Sequence, residues 1–566
     1  MQSENTQLIS EQLARFVVWT KFEDIPEELI IKAQRHILDS VGAGIAGAVS
    51  PETKLLNKVF AIGGEMSGNV PLWGKGIKVR ARNAALSNGV SSHTFELDDT
   101  NGCDHSGAVV VPAAFAALSL CNRPIDGKEF IVAVTLGYDL ARRALESCGA
   151  YEPHNGAGWH STGTCGVFGA AAAVGRLLGL DVEKMQAALG IATSFAAGQW
   201  SFVHDGAQNK RLHVGNAAHG GLLACLLARE GFTGPKLAFE QVWGGFSKTF
   251  APTSQDPDAW LRDLGKNWKL GRVSIKPHAS CRSSHSSIDA VNIIMDEHSL
   301  TPADIEKIHI KINPFVHGMC GGRKLDPMPA AQMSIAYGIA ARLVFGGANL
   351  TAYTRTNRHD PRIRQAMDLV EFEIDKTQKD EDEPIVTVFT RDGKNYTERV
   401  EFPLGAPQNP VSDEALMSKY RDIAGMVFPT EVVEGIADFF LNLPNMPADG
   451  VPYWDMKMDV IKDCTPENIN PDVPRDASAA ALIASGLYEL CTYVAPEKGK
   501  QYRAVADKIV DSLNKHYRAE PGTHYGFLLL HSTGHHPGGS EIDVPLNYAD
   551  YFYLEALARK EALDMK

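Results

Sequence analysis

Residues 25–48, IPEELIIKAQRHILDSVGAGIAGA, carry the pattern that decides the fold. Pro26 stands near the start of the segment, and apolar residues then recur at spacings of three and four, which is typical of an amphipathic helix. The end of the segment is rich in Gly and Ala, whose small side chains let neighbouring helices approach closely. This stretch therefore predicts a helix packed tightly among other helices.

The same texture continues to about Gly265 and predicts a mainly α protein. Helical periodicity rich in small residues recurs at residues 113–120, 166–178, 184–197 and 217–227. With 566 residues the chain exceeds the roughly 250–300 residues at which a single hydrophobic core stops growing, so several domains are expected.

Between about Gly271 and Pro403 the pattern changes to that of strands. Residues 307–312 alternate strictly, residues 372–374 alternate in part, and residues 385–389 connect to residues 396–402 across Asp392-Gly393, a hairpin signal. An inserted α+β domain is predicted here, and helical periodicity returns at residues 413–441. Residues 444–475 are rich in Pro, Asp and Asn, which places a domain boundary near residues 440–450.

The predicted domains are a helical domain over residues 1–268, an α+β lid domain over 269–405, a completion of the helical domain over 406–445, and a separate C-terminal module over 446–566.

Composition narrows the class of partner and the compartment. A net charge of −13 opposes binding to nucleic acid or anionic membranes, and an anionic substrate would need local cations in its pocket. The first sixteen residues are polar and acidic, without the pattern of a signal peptide, so a cytoplasmic location is expected. Nine scattered cysteines without a CxxC pair predict no disulfide framework, no bound metal and no cofactor.

Five segments combine a turn or a glycine-rich stretch with ionisable residues. They are Glu96–Thr100 with His105, Gly158–His160, Lys210–His213, Lys276–Arg282 and Ser334–Tyr337. Taken singly, each has a plainer interpretation: a lone His is usually structural, a lone Lys is usually solvated, and Asp98-Asp99 is typical of a helix cap.

Taken in order, the segments carry a resemblance to a known family. FELDDT (95–100), HSGAVVVPAA (105–114), GWHSTGTCGVFGAAAAVGRLLGLD (158–181), ALGIATSFAAG (188–198), NKRLHVGNAAHGGLLACLLAREGFTGP (209–235) and KPHASCRSSHSSIDA (276–290) resemble the MmgE/PrpD family. The resemblance covers roughly residues 8–445. It implies a homodimer with an active site between the helical domain and the α+β lid.

The family includes 2-methylcitrate dehydratases, cis-aconitate decarboxylases and related isomerases. The resemblance implies a metal-independent lyase acting on a small di- or tricarboxylate. By motif, the catalytic candidates are His105, His160, Lys210, Lys276 and Tyr337. The substrate-binding candidates are Glu96, Asp99, Thr100, His213 and Arg282.

These residue types suit proton transfer next to a carboxylate. Lysines placed beforehand stabilise the negative charge that develops on the substrate, and histidine titrates near neutrality, so it can act as acid or base. The hypothesis is that His105 is the general acid or base and that His160 is its partner or a carboxylate ligand. The short loop from Thr100 to His105, with Cys103 and Asp104, is expected to shape the substrate end of the pocket.

Residues 450–455, 475–486 and 531–543 (GVPYWD, RDASAAALIASG and HSTGHHPGGSEID) resemble the C-terminal part of unsaturated glucuronyl hydrolases of glycoside hydrolase family 88. That family folds as an (α/α)6 toroid, and its catalytic aspartates lie in the part that this chain lacks. His535-His536 with Glu541 and Asp543 could suggest a metal site, but a glycine-rich turn is the favoured interpretation. The module is predicted to have a structural or oligomeric role.

Two alternatives to a lyase remain open. An isomerase or epimerase of a dicarboxylate needs the same proton abstraction without loss of a group. A catalytically silent binding or scaffold protein would need neither the proton abstraction nor the loss of a group.

Overall fold

A computed structural model describes residues 7–123, 125–441, 475–493, 496–533 and 542–565. The chain is mainly helical, at 60% helix and 8% strand, with a small mixed sheet, and this confirms the predicted class. The described residues form two compact units. The first comprises residues 7–123 and 129–441, and the second comprises residues 475–565 with the short segment 125–128.

The first unit begins with a run of helices. They are α1 (Ile9–Trp19), α2 (Glu27–Gly47), α3 (Pro51–Ile62), α4 (Ala81–His93), α5 (Ser106–Leu118), α6 (Gly127–Ser147), α7 (Tyr151–Gly156), α8 (Ser161–Leu177), α9 (Val182–Ala192), α10 (Asn209–Arg229) and α11 (Phe246–Phe250). Two short strands, β1 (Val70–Pro71) and β2 (Lys78–Val79), pair antiparallel after α3.

Helix α10 packs against α4, α5, α8 and α9, and glycines permit the close contacts. A Cβ atom on Gly215 would stand 2.3 Å from the carbonyl oxygen of Leu86, and one on Gly221 would stand 2.8 Å from that of Val167. Neither distance leaves room for a side chain. The small residues of the sequence thus serve close helix packing, as predicted.

Two helix boundaries differ from the sequence prediction. Helix α5 begins at Ser106 rather than near Ala113 and contains Pro112, a residue that usually interrupts a helix. Helix α9 ends at Ala192, and the chain continues as a 3-10 turn over Thr193–Phe195. Local periodicity does not locate such ends, because tertiary packing decides them.

The later part of the first unit contains a four-stranded sheet among further helices. These elements are α12 (His285–Glu297), β3 (Ile305–Ile312), α13 (Pro314–Cys320), α14 (Met328–Gln332), α15 (Ile335–Phe345), α16 (Arg355–Arg358), α17 (Pro361–Asp368), β4 (Val370–Ile374), β5 (Ile385–Thr390), β6 (Asn395–Glu398), α18 (Asp413–Ala424) and α19 (Thr430–Leu441). The strand order is β4-β3-β5-β6, with β4 parallel to β3 and the other pairs antiparallel.

The strand alternation predicted for residues 307–312 is present. Ile308, Ile310 and Ile312 are buried, whereas Lys307 and Lys311 pair with glutamates of β4. The predicted hairpin turns at Gly393, whose φ of 85° favours glycine. Strand β6 ends at Glu398 rather than at Phe402, and Arg399 immediately after it pairs with Asp382.

The second unit contains α20 (Ala477–Leu490), α21 (Pro496–Ser512), a π-helical turn over Leu513–Tyr517 and α22 (Asn547–Asp564). Its core consists mainly of Ala, Tyr, Leu, Ile and Val side chains of these helices. Asp543 accepts a hydrogen bond from His531 (2.7 Å), whereas residues 450–455, His535, His536 and Glu541 lie outside the described residues. The (α/α)6 origin of this unit and the domain boundaries stay predictions.

Among the described helices, none combines the length and the apolar character that a membrane span requires.

Candidate active site

The loop between α4 and α5, residues 94–105, carries backbone strain. Glu96, Asn101 and Asp104 have φ angles of 54°, 68° and 94°, in a region that side-chain-bearing residues rarely adopt. Each such residue costs on the order of 1–3 kcal/mol and persists only where surrounding contacts enforce it. The FELDDT motif therefore folds into a loop that many contacts hold in place.

Glu96 is the centre of a buried ion cluster. One carboxylate oxygen lies 2.6 Å from Nζ of Lys210 and 3.2 Å from a guanidinium nitrogen of Arg211, and the other lies 3.5 Å from Nζ of Lys276. Burial raises the pKa of Glu96, but the charges of Lys210, His93, Arg211 and Lys276 together lower it well below its ordinary value. The carboxylate is therefore ionised and fixes the positions of two predicted lysines.

His105 stands at the start of α5 with both ring nitrogens beside acceptors. Its Nδ1 donates to the backbone carbonyl of Asp99 (3.2 Å) and lies 2.9 Å from a carboxylate oxygen of Asp98. Its Nε2 lies 3.5 Å from Asp104. Burial lowers the pKa of His105, but the carboxylates of Asp104 and Asp98 raise it above the ordinary value. This histidine can therefore hold a proton near neutral pH.

His160, at the start of α8, has the opposite electrostatic character. Its Nδ1 contacts Nδ1 of His213 at 3.0 Å, its Nε2 lies 3.7 Å from Asp104, and the ring stands edge-on to Trp200. Burial lowers the pKa of His160 to about 4 and that of His213 to about 3. Both rings are neutral at pH 7, so neither supplies positive charge: Nδ1 of His213 contacts the His160 ring, and His160 lies beside Asp104 without a hydrogen bond to it.

Lys276 completes the group that we call the inner cluster. Its Nζ lies 3.8 Å from Asp98, and although burial lowers its pKa, Asp98 and Glu96 raise it above the ordinary value, so it stays charged. The inner cluster consists of Glu96, Asp98, Asp104, His105, Lys210, Arg211 and Lys276, all buried.

Two predicted site residues face away from this cluster. The Asp99 carboxylate accepts hydrogen bonds from the backbone N–H of Gly107 (2.9 Å), the hydroxyl of Tyr138 and Nδ1 of His36, so it caps α5. The hydroxyl of Tyr337 donates a hydrogen bond to the backbone carbonyl of Ala352 (2.6 Å) within the sheet-side core. For Asp99 the plainer interpretation, a helix cap, describes its contacts.

A cavity of about 860 Å³ opens next to the inner cluster. Glu96, Thr100, Asp104, His105 and Lys210 line it from the helical part, and Cys281 and Arg282 line it from the part that contains the sheet. Its volume lies in the upper part of the range for small-molecule sites. Five of the ten predicted site residues thus border one cavity: Glu96, Thr100, His105, Lys210 and Arg282.

The sheet-side wall of the cavity is acidic. Asp380–Glu383 and Glu401 line it with two arginines, of which Arg282 pairs with Glu383 and Arg399 pairs with Asp382 at 3.1 Å. We call this group the rim. Its five carboxylates outnumber its two cations, which disfavours anion binding at this wall.

Several members of the site were not among the ten predicted catalytic and substrate-binding residues. Asp98, Asp104 and Arg211 belong to the inner cluster, and Arg142, Lys269 and Arg272 line the cavity nearby. Asp104 was the one residue of this group with a local signal of a role in the site, because it stands directly before His105. The others stand in helices or turns where a charged residue is ordinary.

Within the described ranges, two sets of three donors have their ligand atoms within 4.8 Å of one another: His93, Asp98 and His105, and Asp104, His105 and His160. A cation bound by the first set would stand close to the charged Nζ of Lys276, 3.8 Å from Asp98. The charge of Lys276 therefore disfavours a cation at the first set, and independence of metal stays a prediction.

Comparisons with known proteins agree with the motif order. Residues 11–258 match the MmgE/PrpD N-terminal domain, and residues 278–444 match the MmgE/PrpD C-terminal domain. The chain is 29% identical over 450 residues to a cis-aconitate decarboxylase of Aspergillus terreus, covering 75% of this chain and 91% of that protein. It is 28% identical over 462 residues to the cis-aconitate decarboxylase of Homo sapiens, covering 77% and 92%.

A different relative matches over a shorter stretch. An unsaturated glucuronyl hydrolase of Formosa agariphila is 41% identical over 134 residues, which cover 24% of this chain and 30% of that protein.

Proposed function

The chain belongs to the MmgE/PrpD family, and on that premise we propose that it is a lyase that removes carbon dioxide or water from a small di- or tricarboxylate. Decarboxylation of a cis-aconitate-like acid is the leading form, because two relatives that match over most of their length are named cis-aconitate decarboxylases. Dehydration of a 2-methylcitrate-like or longer alkylcitrate-like acid is the second form.

One observation carries the proposal: His105 borders the cavity while two carboxylates hold its ring. Asp98 and the Asp99 carbonyl contact Nδ1, so Nε2 is the nitrogen left for the substrate, with Asp104 beside it. Asp104 and Asp98 raise the pKa of His105 above its ordinary value, which favours the protonated form that a proton donor needs.

In decarboxylation, the bond between the carboxylate carbon and its neighbour breaks, and the electron pair stays on the remaining carbon. That carbanion takes a proton from Nε2 of His105, which is left neutral and regains a proton from water. Lys210 and Lys276, fixed by Glu96, stabilise the negative charge during this step.

The test is turnover by the purified full-length protein on cis-aconitate, citrate, 2-methylcitrate and longer alkylcitrates. Carbon dioxide release and water loss are followed separately, with and without a chelator. We expect one acid to turn over, with equal rates in the two conditions. A loss of activity with the chelator would contradict metal independence, and no turnover on any of these acids would contradict the lyase.

The isomerase alternative is tested in the same samples. In deuterated water, an isomerase or epimerase would exchange the substrate proton without releasing carbon dioxide or water, as followed by NMR. A silent binding or scaffold protein would bind acids without exchange or turnover. The buried ion cluster argues against a protein without catalytic activity, because burying charges that have no function would cost folding free energy.

For the second unit we propose a structural or oligomeric role, in a homodimer. The stretch similar to the unsaturated glucuronyl hydrolase covers 30% of that protein's length, so we do not propose that the second unit hydrolyses glycosides.

A further inference from the structure

The charges of the inner cluster nearly cancel. The cluster contains three carboxylates (Glu96, Asp98 and Asp104) and three fixed cations (Lys210, Arg211 and Lys276), so an excess positive charge arises there only when His105 is protonated. A single excess charge suits one substrate carboxylate. A di- or tricarboxylate needs a second cationic region elsewhere in the cavity.

The rim does not provide this second cationic region, since the carboxylates of the rim outnumber its arginines. A second candidate is the group that we call the Glu146 cluster: Arg142, Glu146, Glu152, Lys269 and Arg272, all of which line the same cavity. The Glu146 carboxylate forms ion pairs with Nε of Arg142 (2.9 Å) and with Nζ of Lys269 (2.8 Å). A guanidinium nitrogen of Arg272 lies 3.7 Å from the same carboxylate. Three cations here face two carboxylates, so this cluster also has a positive excess.

The cations repel one another, which an incoming anion would relieve. Burial and the charge of Arg142 lower the pKa of Arg272 to about 10, an effect that Glu146 and Glu152 offset only in part. The Arg142 and Lys269 side chains are buried, whereas 48% of the Arg272 side chain is exposed, so Arg272 offers an accessible guanidinium edge.

The Glu146 cluster also contacts the loop that carries the catalytic candidates. Arg142 donates to the carbonyl of Gly102 (3.2 Å) and Arg272 donates to that of Asn101 (3.1 Å). An anion at Arg272 therefore lies beside the short loop that ends at His105. Residues of both regions line the same cavity.

We propose that Arg142, Lys269 and Arg272 form a second anion subsite, which binds a carboxylate at the far end of the substrate and so selects acids with at least two carboxylates. The inference rests on the proposed function in that it assigns a place to the second carboxylate of that substrate. Arg272 and Lys269 are specificity residues of this subsite, and Arg142 also positions the loop.

Binding of inert acids to the full-length protein tests the subsite. Isothermal titration calorimetry compares glutarate, adipate, pimelate and suberate with the monocarboxylate of the same chain length. We expect at least one diacid to bind roughly tenfold more tightly than its monocarboxylate, the scale of one charge-assisted contact. No diacid advantage in the wild-type protein would overturn the proposal.

The variants separate charge from loop support. Arg272→Gln and Lys269→Gln should each remove the diacid advantage and leave monocarboxylate binding unchanged, whereas Arg272→Lys should keep most of it. Lys266→Gln changes an exposed residue of the same segment and is the matched control, expected to behave as wild type. Equal weakening of mono- and diacids in Arg272→Gln would mean that only loop support is lost, which overturns the subsite.

Because these titrations need no turnover, they are independent of the lyase test. A protein without activity on any acid that still prefers diacids would contradict the proposed function and keep the subsite.

Discussion

The two units of this chain differ in the number of charged side chains that they bury. The first buries an entire ion cluster next to a cavity, with Glu96, Asp98, Lys210 and Lys276 each at most 1% exposed. In the second, pairs such as Arg503 with Asp564 and Lys560 with Asp507 keep about a third or more of each side chain exposed. Arg475, over the ring of Tyr517, is the one charged residue that the described part of the second unit buries.

Moving a charge out of water costs several kcal/mol per ion even after relaxation, whereas exposed pairs contribute about 0–1 kcal/mol. A fold keeps a buried, strained cluster only where the rest of the structure supports it. The proposed chemistry therefore belongs to the first unit, whereas the described part of the second unit packs around an apolar core. Substitutions at the ion cluster of the first unit should therefore have larger effects than substitutions or deletions in the second unit.

His105→Ala should lower kcat/KM by about 10²- to 10⁴-fold on whichever acid turns over, because the proton donor or acceptor is removed. The measurement is steady-state kinetics. His531→Ala is the matched control from the second unit, since His531 also pairs with an aspartate, and its rate should equal that of wild type. Wild-type turnover by His105→Ala would refute the assignment.

Glu96→Gln should lower the free energy of unfolding of the first unit by about 3–5 kcal/mol, because Lys210 and Arg211 would stay buried without their counter-ion and Lys276 would keep only Asp98. Urea unfolding followed by tryptophan fluorescence measures this, since seven of the eight tryptophans lie before residue 442. Glu489→Gln breaks an exposed pair with Arg559 in the second unit and should cost less than about 1 kcal/mol.

The pH dependence of Glu96→Gln has a definite sign. The pKa of Glu96 is lower in the folded chain than its ordinary value of 4.5, so its stabilisation is fully present above that value and is lost as the pH falls toward the folded pKa. The difference between wild type and variant should therefore shrink below about pH 4.5. A constant difference down to strongly acidic pH would show that the charge of Glu96 is not its cause.

Asp104→Asn should move the His105-dependent limb of the kcat/KM profile to lower pH, because Asp104 raises the pKa of His105. If protonated His105 is the acid, activity falls above that limb, and if neutral His105 is the base, activity falls below it. The profile thus also distinguishes the two roles. A limb that does not move would assign it to another group.

Removal of residues 446–566 should leave kcat per active site within about twofold, the smallest effect on chemistry, because the inner cluster lies in the first unit. The same truncation should lower solubility or change the oligomeric state, as measured by analytical ultracentrifugation. A fully active dimer with unchanged solubility would contradict the structural role of the second unit.

Single residues show how far sequence reasoning reached. Glu96, His105 and Lys210 were selected by motif and do meet at the cavity, because the motif records a local loop and a helix start. Asp99 and Tyr337 were selected in the same way, yet their side chains turn to Gly107 and Ala352. A motif fixes the position of a residue in the chain, but the direction of its side chain depends on packing.

Periodicity and turn residues act over a few positions, so the amino-acid sequence alone predicts the mainly helical class, the strands around residues 307–312 and 385–389, and the order of the motifs. Only the tertiary structure decided that Arg142, Lys269 and Arg272 converge near Glu146 and that the sheet-side wall is acidic. These residues are far apart in the chain or stand in ordinary contexts. Their effect comes from shared burial and charge, which arise when distant segments pack together.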